Sequence, residues 1–162
     1  MTAEILHWLA TQVAPLKKSF GDVFEVGSYN VNGSPRSVLR DKCSSWVGCD
    51  RVSGPDVDEV GIAASVIAGR KFDMVIACEC YEHDPRFWET NAVCLSALRP
   101  GGIYIITSPT IGFPFHDYGG DFYRFTEMAI RSLLSGLIET DIRTVGGAPH
   151  QCVVGCGVRP FG

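Results

Sequence analysis

No stretch of this sequence stays apolar for the roughly 18 residues that a membrane span requires. The Met1 to Phe20 segment also lacks the unbroken apolar core of a secretory signal, because Glu4, His7, Gln12, Lys17 and Lys18 interrupt it. A cytoplasmic protein with no membrane partner is expected. Positive charge is scarce and unclustered: 14 lysines and arginines stand against 18 aspartates and glutamates, a net charge of −4. With no basic stripe, the chain carries no electrostatic footprint for nucleic acid. The seven cysteines include no C-x-x-C pair, so no metal ligand set is expected, and their placement in apolar stretches reads as buried, reduced thiol. Internal repeats and low-complexity linkers are missing too. A chain of 162 residues buries roughly 70% of its unfolded surface, enough for one core, and a single domain over 1–162 is expected.

What is present is an alternation of strands and helices. Leu6, Leu9, Val13 and Leu16 recur at helical spacing behind a cap at Thr2. A short strand follows at Val23 to Val26, then a helix in "SVLRDKC" and a second strand from Ser44 to Asp50, closed by an acid. "KFDMVIACE" predicts a third long strand. "RFWETNAVCLSAL" predicts a helix with Phe87, Ala92, Leu95 and Leu98 on its apolar face, and "RPGG" turns that helix into the strand "IYIITS". "TEMAIRSLLSGL" is a further amphipathic helix, and the end of the chain reads as two strands joined by a Gly-Gly-Ala-Pro turn. This is the pattern of a doubly wound, Rossmann-like α/β fold, mostly parallel, with one antiparallel strand near the C-terminus. Between Asp50 and Phe72 two full crossovers barely fit. A vestigial edge strand in "DVDEV" and one helix near Ile62 to Ala68 are expected there, with a second helix missing.

Open parallel sheets bind ligands beyond the carboxyl ends of their strands. Those ends carry Glu25, Asp50 and Glu79. After Gly27, the glycine positions of G-x-G-x-x-G are occupied by Tyr29 and Asn32, so the dinucleotide fingerprint fails. Three converging carboxylates would repel a pyrophosphate and suit a ligand bearing a sulfonium, an ammonium and a ribose diol. S-adenosylmethionine is such a ligand. Set against this, Gly27 could be a turn glycine, Glu25 the partner of a lysine, and Asp50 a cap.

Four segments, in order and at fitting intervals, resemble the class I S-adenosylmethionine-dependent methyltransferases. "FEVGS" (Phe24 to Ser28) is similar to their first motif, "WVGCD" (Trp46 to Asp50) to their second strand with its ribose-binding acid, "FDMVIACECYEH" (Phe72 to His83) to their fourth strand and its E-x-x-E-H turn, and "LRPGGIYIITSP" (Leu98 to Pro109) to the turn into the fifth. The first motif departs from the family by placing Ser28, Tyr29 and Asn30 where a second glycine belongs. The resemblance implies S-adenosylmethionine as co-substrate, with Glu25, Gly27, Ser28, Asn32, Gly33, Asp50 and Glu79 around it and Ser34 helping to build the loop.

Substrate chemistry points to "TIGFPFHDYGGDFYRFT", Thr110 to Thr126, because so long an irregular stretch in a compact domain is commonly functional. His116 is the candidate general base, with Glu79 and His83 as alternatives, and Gly119 and Gly120 are candidate hinges. The bland alternative is a surface loop tied down by Phe113, Phe115, Phe122 and Phe125. "F-P-x-H…D-x-Y-R-x-T" is similar to stretches in methyltransferases that modify glycans. The expected acceptor is a small molecule, for example a sugar hydroxyl, with a homo-oligomer able to supply a missing wall. A cofactor-binding adaptor on a degenerate core and a nicotinamide-dependent oxidoreductase are the rival classes.

Overall fold

The computed structural model describes residues 1–162. Seven strands, β1 (Gly21–Val26), β2 (Cys43–Asp50), β3 (Glu59–Val60), β4 (Phe72–Cys78), β5 (Leu98–Pro109), β6 (Ile138–Val145) and β7 (Cys152–Val158), form one sheet in the order β3-β2-β1-β4-β5-β7-β6. All neighbours pair in parallel except β7, which is antiparallel to both β5 and β6. The doubly wound sheet with one antiparallel strand is as the sequence implied. The central strands are mostly apolar because both faces are covered. Met74, Ile76, Ile103 and Ile105 point to one core layer, with Ile5, Trp8, Leu9 and Val13, while Val75, Ala77, Tyr104 and Ile106 point to the other, with Ala97, Ile130 and Leu134.

Helix α1 (Ala3–Trp8) is capped by the Thr2 hydroxyl, runs on as a wider π turn to Val13, and ends in a tight turn at Pro15. With α2 (Arg36–Leu39) it covers the first layer; α3 (Ala63–Ile67), α4 (Phe87–Ala97) and α5 (Glu127–Leu133) cover the second. Two expectations are refined. Strand β3 has only two residues and no helix precedes it, so Arg51 to Asp58 crosses in turns. The buried stripe of α4 is Asn91, Cys94 and Ala97, with Ala92 exposed, so the face is rotated from the apolar spacing. A buried asparagine caused that slip. Asn91 accepts from the Tyr104 hydroxyl at 3.0 Å and donates to Leu133 O at 3.1 Å, which satisfies it inside the core. No helix is long and apolar enough to cross a membrane.

Candidate functional site

The carboxyl ends of β1, β2, β4 and β5 meet at one edge of the sheet. Gly27 leaves β1 at φ +71°, and a Cβ there would lie 2.7 Å from Cys80 Sγ and 2.8 Å from Cys80 Cβ. Only glycine lets the β1 and β4 loops approach so closely. The Gly27 and Ser28 amides are held by Cys49 O, and the Asp50 carboxylate accepts from the Tyr29 and Val52 amides at 3.2 Å each. Asp50 therefore caps two loop starts while staying half-buried at its strand end.

Glu25 is placed differently from its sequence neighbours. It is 3% exposed and points into the α1 layer, where Trp46 Nε1 donates to it at 2.9 Å and Arg36 Nε lies 3.6 Å away. Burial pushes its carboxyl up to about 8 despite those two partners. Arg36 also binds Asp58 and, at 2.8 Å, Asp56 O, and stacks on the Trp46 ring. This arginine was missed by the sequence reading. It is the cation that offsets the acids beneath the β1 loop. The loop itself is built by Asn30, whose Oδ1 accepts from Gly33 N and whose Nδ2 donates to Asp56, both at 2.8 Å. Asn32 is exposed and bonded to the Met1 amino group, Gly33 takes φ +133° beside Met1 and Leu6, and Ser34 accepts from Arg36 N to start α2. Ser28 is buried with its hydroxyl unpartnered.

At the end of β4, Glu79 has φ +49° and accepts from Thr107 Oγ1 at 3.1 Å and from the Cys152 thiol. Burial raises its carboxyl above the ordinary value. Glu82 is fully buried, bonded to Ser108 Oγ at 2.8 Å through one oxygen, and raised well above the usual range by burial and by Glu79. Its other oxygen faces His83 Nε2 at 3.7 Å and His116 Nε2 at 4.0 Å, and the two imidazoles sit edge to face at 5.0 Å between centroids. His83 and His116, far apart in sequence, are thus brought together around Glu82. The signal was present in the E-x-x-E-H turn, whose second acid the sequence reading left unassigned. Burial lowers the His116 pKa, so the neutral imidazole is favoured.

The Thr110 to Thr126 loop is irregular, as expected, and is pinned from within. Arg124 binds the Asp121 carboxylate and donates to Phe113 O at 3.1 Å and Pro114 O at 2.9 Å, holding the Asp121 carboxyl well below its usual range; Asp121 in turn accepts from His116 N at 2.8 Å. Asp117 accepts from the amides of both hinge candidates, Gly119 and Gly120. Of the four phenylalanines only Phe125 is buried. Phe115 and Phe122 stand 74% and 51% exposed with Tyr118 at 63%, an apolar rim beside the histidines rather than an anchor to the core. All seven cysteines are free thiols, five of them buried.

No protein-family model matches the sequence, and no curated protein matches it. Solved structures match over nearly the whole chain. The N-methyltransferase NodS from Bradyrhizobium japonicum WM9, in complex with S-adenosyl-L-homocysteine, is 15% identical with a TM-score of 0.67, covering 97% of this chain and 85% of its own. An S-adenosylmethionine-dependent methyltransferase from Clostridium acetobutylicum ATCC 824 is 12% identical with a TM-score of 0.70, over 96% and 91%. The DhpI complex with S-adenosylhomocysteine is 17% identical with a TM-score of 0.63, over 93% and 83%. At these identities the likeness is one of fold.

Proposed function

The chain has the class I S-adenosylmethionine-dependent methyltransferase fold, and from that premise we propose that it transfers a methyl group from S-adenosylmethionine to a hydroxyl of a small acceptor. The observation that carries the reading is one strand-end edge holding left-handed Gly27, the Asp50 carboxylate and the Glu82, His83, His116 cluster. The residues fit the co-substrate. Asp50 spends one lone pair of each oxygen on a backbone amide and keeps acceptor capacity for a ribose diol. Left-handed Gly27 lets the β1 and β4 loops close on one another at that edge, and Glu79, bonded to Thr107 near the β5 end, suits an ammonium. Glu25 serves from below, fixing Trp46 and Arg36 rather than touching ligand.

When bound, S-adenosylmethionine supplies a methyl already activated on sulfur. The protein's remaining tasks are to align the acceptor and to handle its proton. Phe115, Tyr118 and Phe122 offer apolar surface for the acceptor's body, and the imidazole pair stands where its hydroxyl would face. The test is release of S-adenosylhomocysteine against a panel of sugars, phenols and amines. A hydroxyl acceptor should turn over, and His116→Ala should lower the rate by roughly 10²-fold or more with S-adenosylhomocysteine affinity unchanged. Tight cofactor binding with no acceptor methylated would replace this reading by the cofactor-binding adaptor.

A further inference from the structure

Two imidazole nitrogens and one buried carboxyl oxygen converge at the β4 end. His83 Nδ1 is hydrogen-bonded to the Gly120 carbonyl, which can only accept, so Nδ1 carries the proton and Nε2 the lone pair. His116 Nδ1 likewise faces oxygens, Pro114 O at 3.2 Å and Asp121 Oδ2 at 3.5 Å. Both Nε2 lone pairs therefore point at Glu82 Oε1, over 3.7 and 4.0 Å. Neither separation is a hydrogen bond. Glu82 is 0% exposed, and this oxygen has no hydrogen-bond partner at all.

A buried carboxyl oxygen with no hydrogen-bond partner and the two imidazole lone pairs it faces offer three convergent ligand atoms to a cation. We propose that Glu82, His83 and His116 bind one divalent transition-metal cation of the zinc type, leaving a coordination position open to the loop rim for the acceptor's oxygen; this deepens the methyl-transfer reading and takes its catalytic sense from it. The ligand atoms all lie within 4.8 Å of one another. Bonds of about 2.1 Å in tetrahedral geometry need ligands roughly 3.4 Å apart, so a contraction of at most about 1.4 Å from that 4.8 Å limit completes the site. Two imidazoles and one carboxylate select zinc, iron or cobalt over magnesium or calcium. The backbone carbonyl that accepts from each Nδ1, Gly120 O for His83 and Pro114 O for His116, is the kind of partner that orients a ligating ring. Such an ion would act as a Lewis acid on a bound hydroxyl, lowering its pKa so that its proton could pass to solvent, which is the activation that a hydroxyl acceptor needs.

The experiment titrates the chelator-treated protein with Co(II), followed by its visible d–d absorption, then displaces it with Zn(II), and repeats the titration with Mg(II) by calorimetry. One equivalent of Co(II) should bind and be displaced by Zn(II), while Mg(II) binds far more weakly. His83→Ala and His116→Ala should each weaken Co(II) by about 100-fold or more. Glu82→Gln, which keeps an oxygen for Ser108, should do the same with its melting curve intact, and His7→Ala should change nothing. No absorption change on adding Co(II), or binding that survives both histidine variants, overturns the proposal, the second outcome transferring the metal to cysteines. S-adenosylhomocysteine calorimetry with chelator present separates the two claims: retained binding there with no Co(II) site defeats the metal alone, whereas lost binding with an intact Co(II) site defeats the methyl-transfer reading.

Discussion

Glu25→Gln isolates the cost of burying a carboxyl under the first strand. The group is 3% exposed, and burial lifts its folded-state value to about 8 against the unfolded value of 4.5. A raised acid means that the folded state holds more protons than the unfolded state between those two values. Stability from this group is therefore complete below the unfolded value and is lost as pH rises through about 8. The shift corresponds to roughly 4 to 5 kcal/mol across that window, at about 1.4 kcal/mol per unit. Glutamine keeps an oxygen for Trp46 Nε1, at 2.9 Å in the wild type, and has no proton to lose. Glu79 and Glu82, also raised, tilt the wild-type curve in the same direction, so the informative quantity is the difference between variant and wild type. Urea unfolding at about pH 5, 6.5 and 8 should show the wild type falling more steeply, with Glu25→Gln gaining several kcal/mol on it by the alkaline end. Parallel curves would mean that Arg36, 3.6 Å away, already holds Glu25 ionised, and that the desolvation argument is wrong.

Gly27→Ala should cost about 2 to 4 kcal/mol in urea unfolding, combining a left-handed φ of +71° with a Cβ 2.7 Å from Cys80 Sγ. Cys80→Gly in the same chain should recover part of that by removing both clashing atoms; a cost under about 0.5 kcal/mol for Gly27→Ala would contradict the close approach. Arg124→Met removes the guanidinium that binds Asp121, Phe113 O and Pro114 O, and hydrogen exchange at the His116, Gly119 and Gly120 amides should speed up by about tenfold or more while core strands are unaffected. Unchanged exchange in the loop would show that Arg124 does not hold it.

Fold-level features came through the sequence because they rest on periodicity. The apolar runs of β4 and β5, the Thr2 cap of α1 and the compressed β2 to β4 interval are all set by residues next to one another in the chain. The candidate site was legible only where strand ends announced it. Gly27, Asp50 and Glu79 could be read from position, and His83 and His116 from type. Glu25 was misplaced because its side chain faces the α1 layer, a matter of strand pleat and of Trp46 and Arg36 arriving from other elements. Glu82 was passed over because burial and pairing with two histidines from separate segments exist only after folding. Asn30 outranked Asn32 in the loop for a similar reason, since its partner Asp56 lies across the β2 end.

Calorimetric titration of S-adenosylhomocysteine into the wild type and Asp50→Ala is the most direct test of the strand-end site as a methyl-donor site. The wild type should bind with a dissociation constant in the range of about 1 to 100 µM. Asp50→Ala should lose about 1.5 to 3 kcal/mol of that binding while still unfolding cooperatively from a folded state, since a charged acceptor for two hydroxyls is removed at a half-buried position. Equal affinity in the two proteins, or no heat in the wild type, would contradict the assignment.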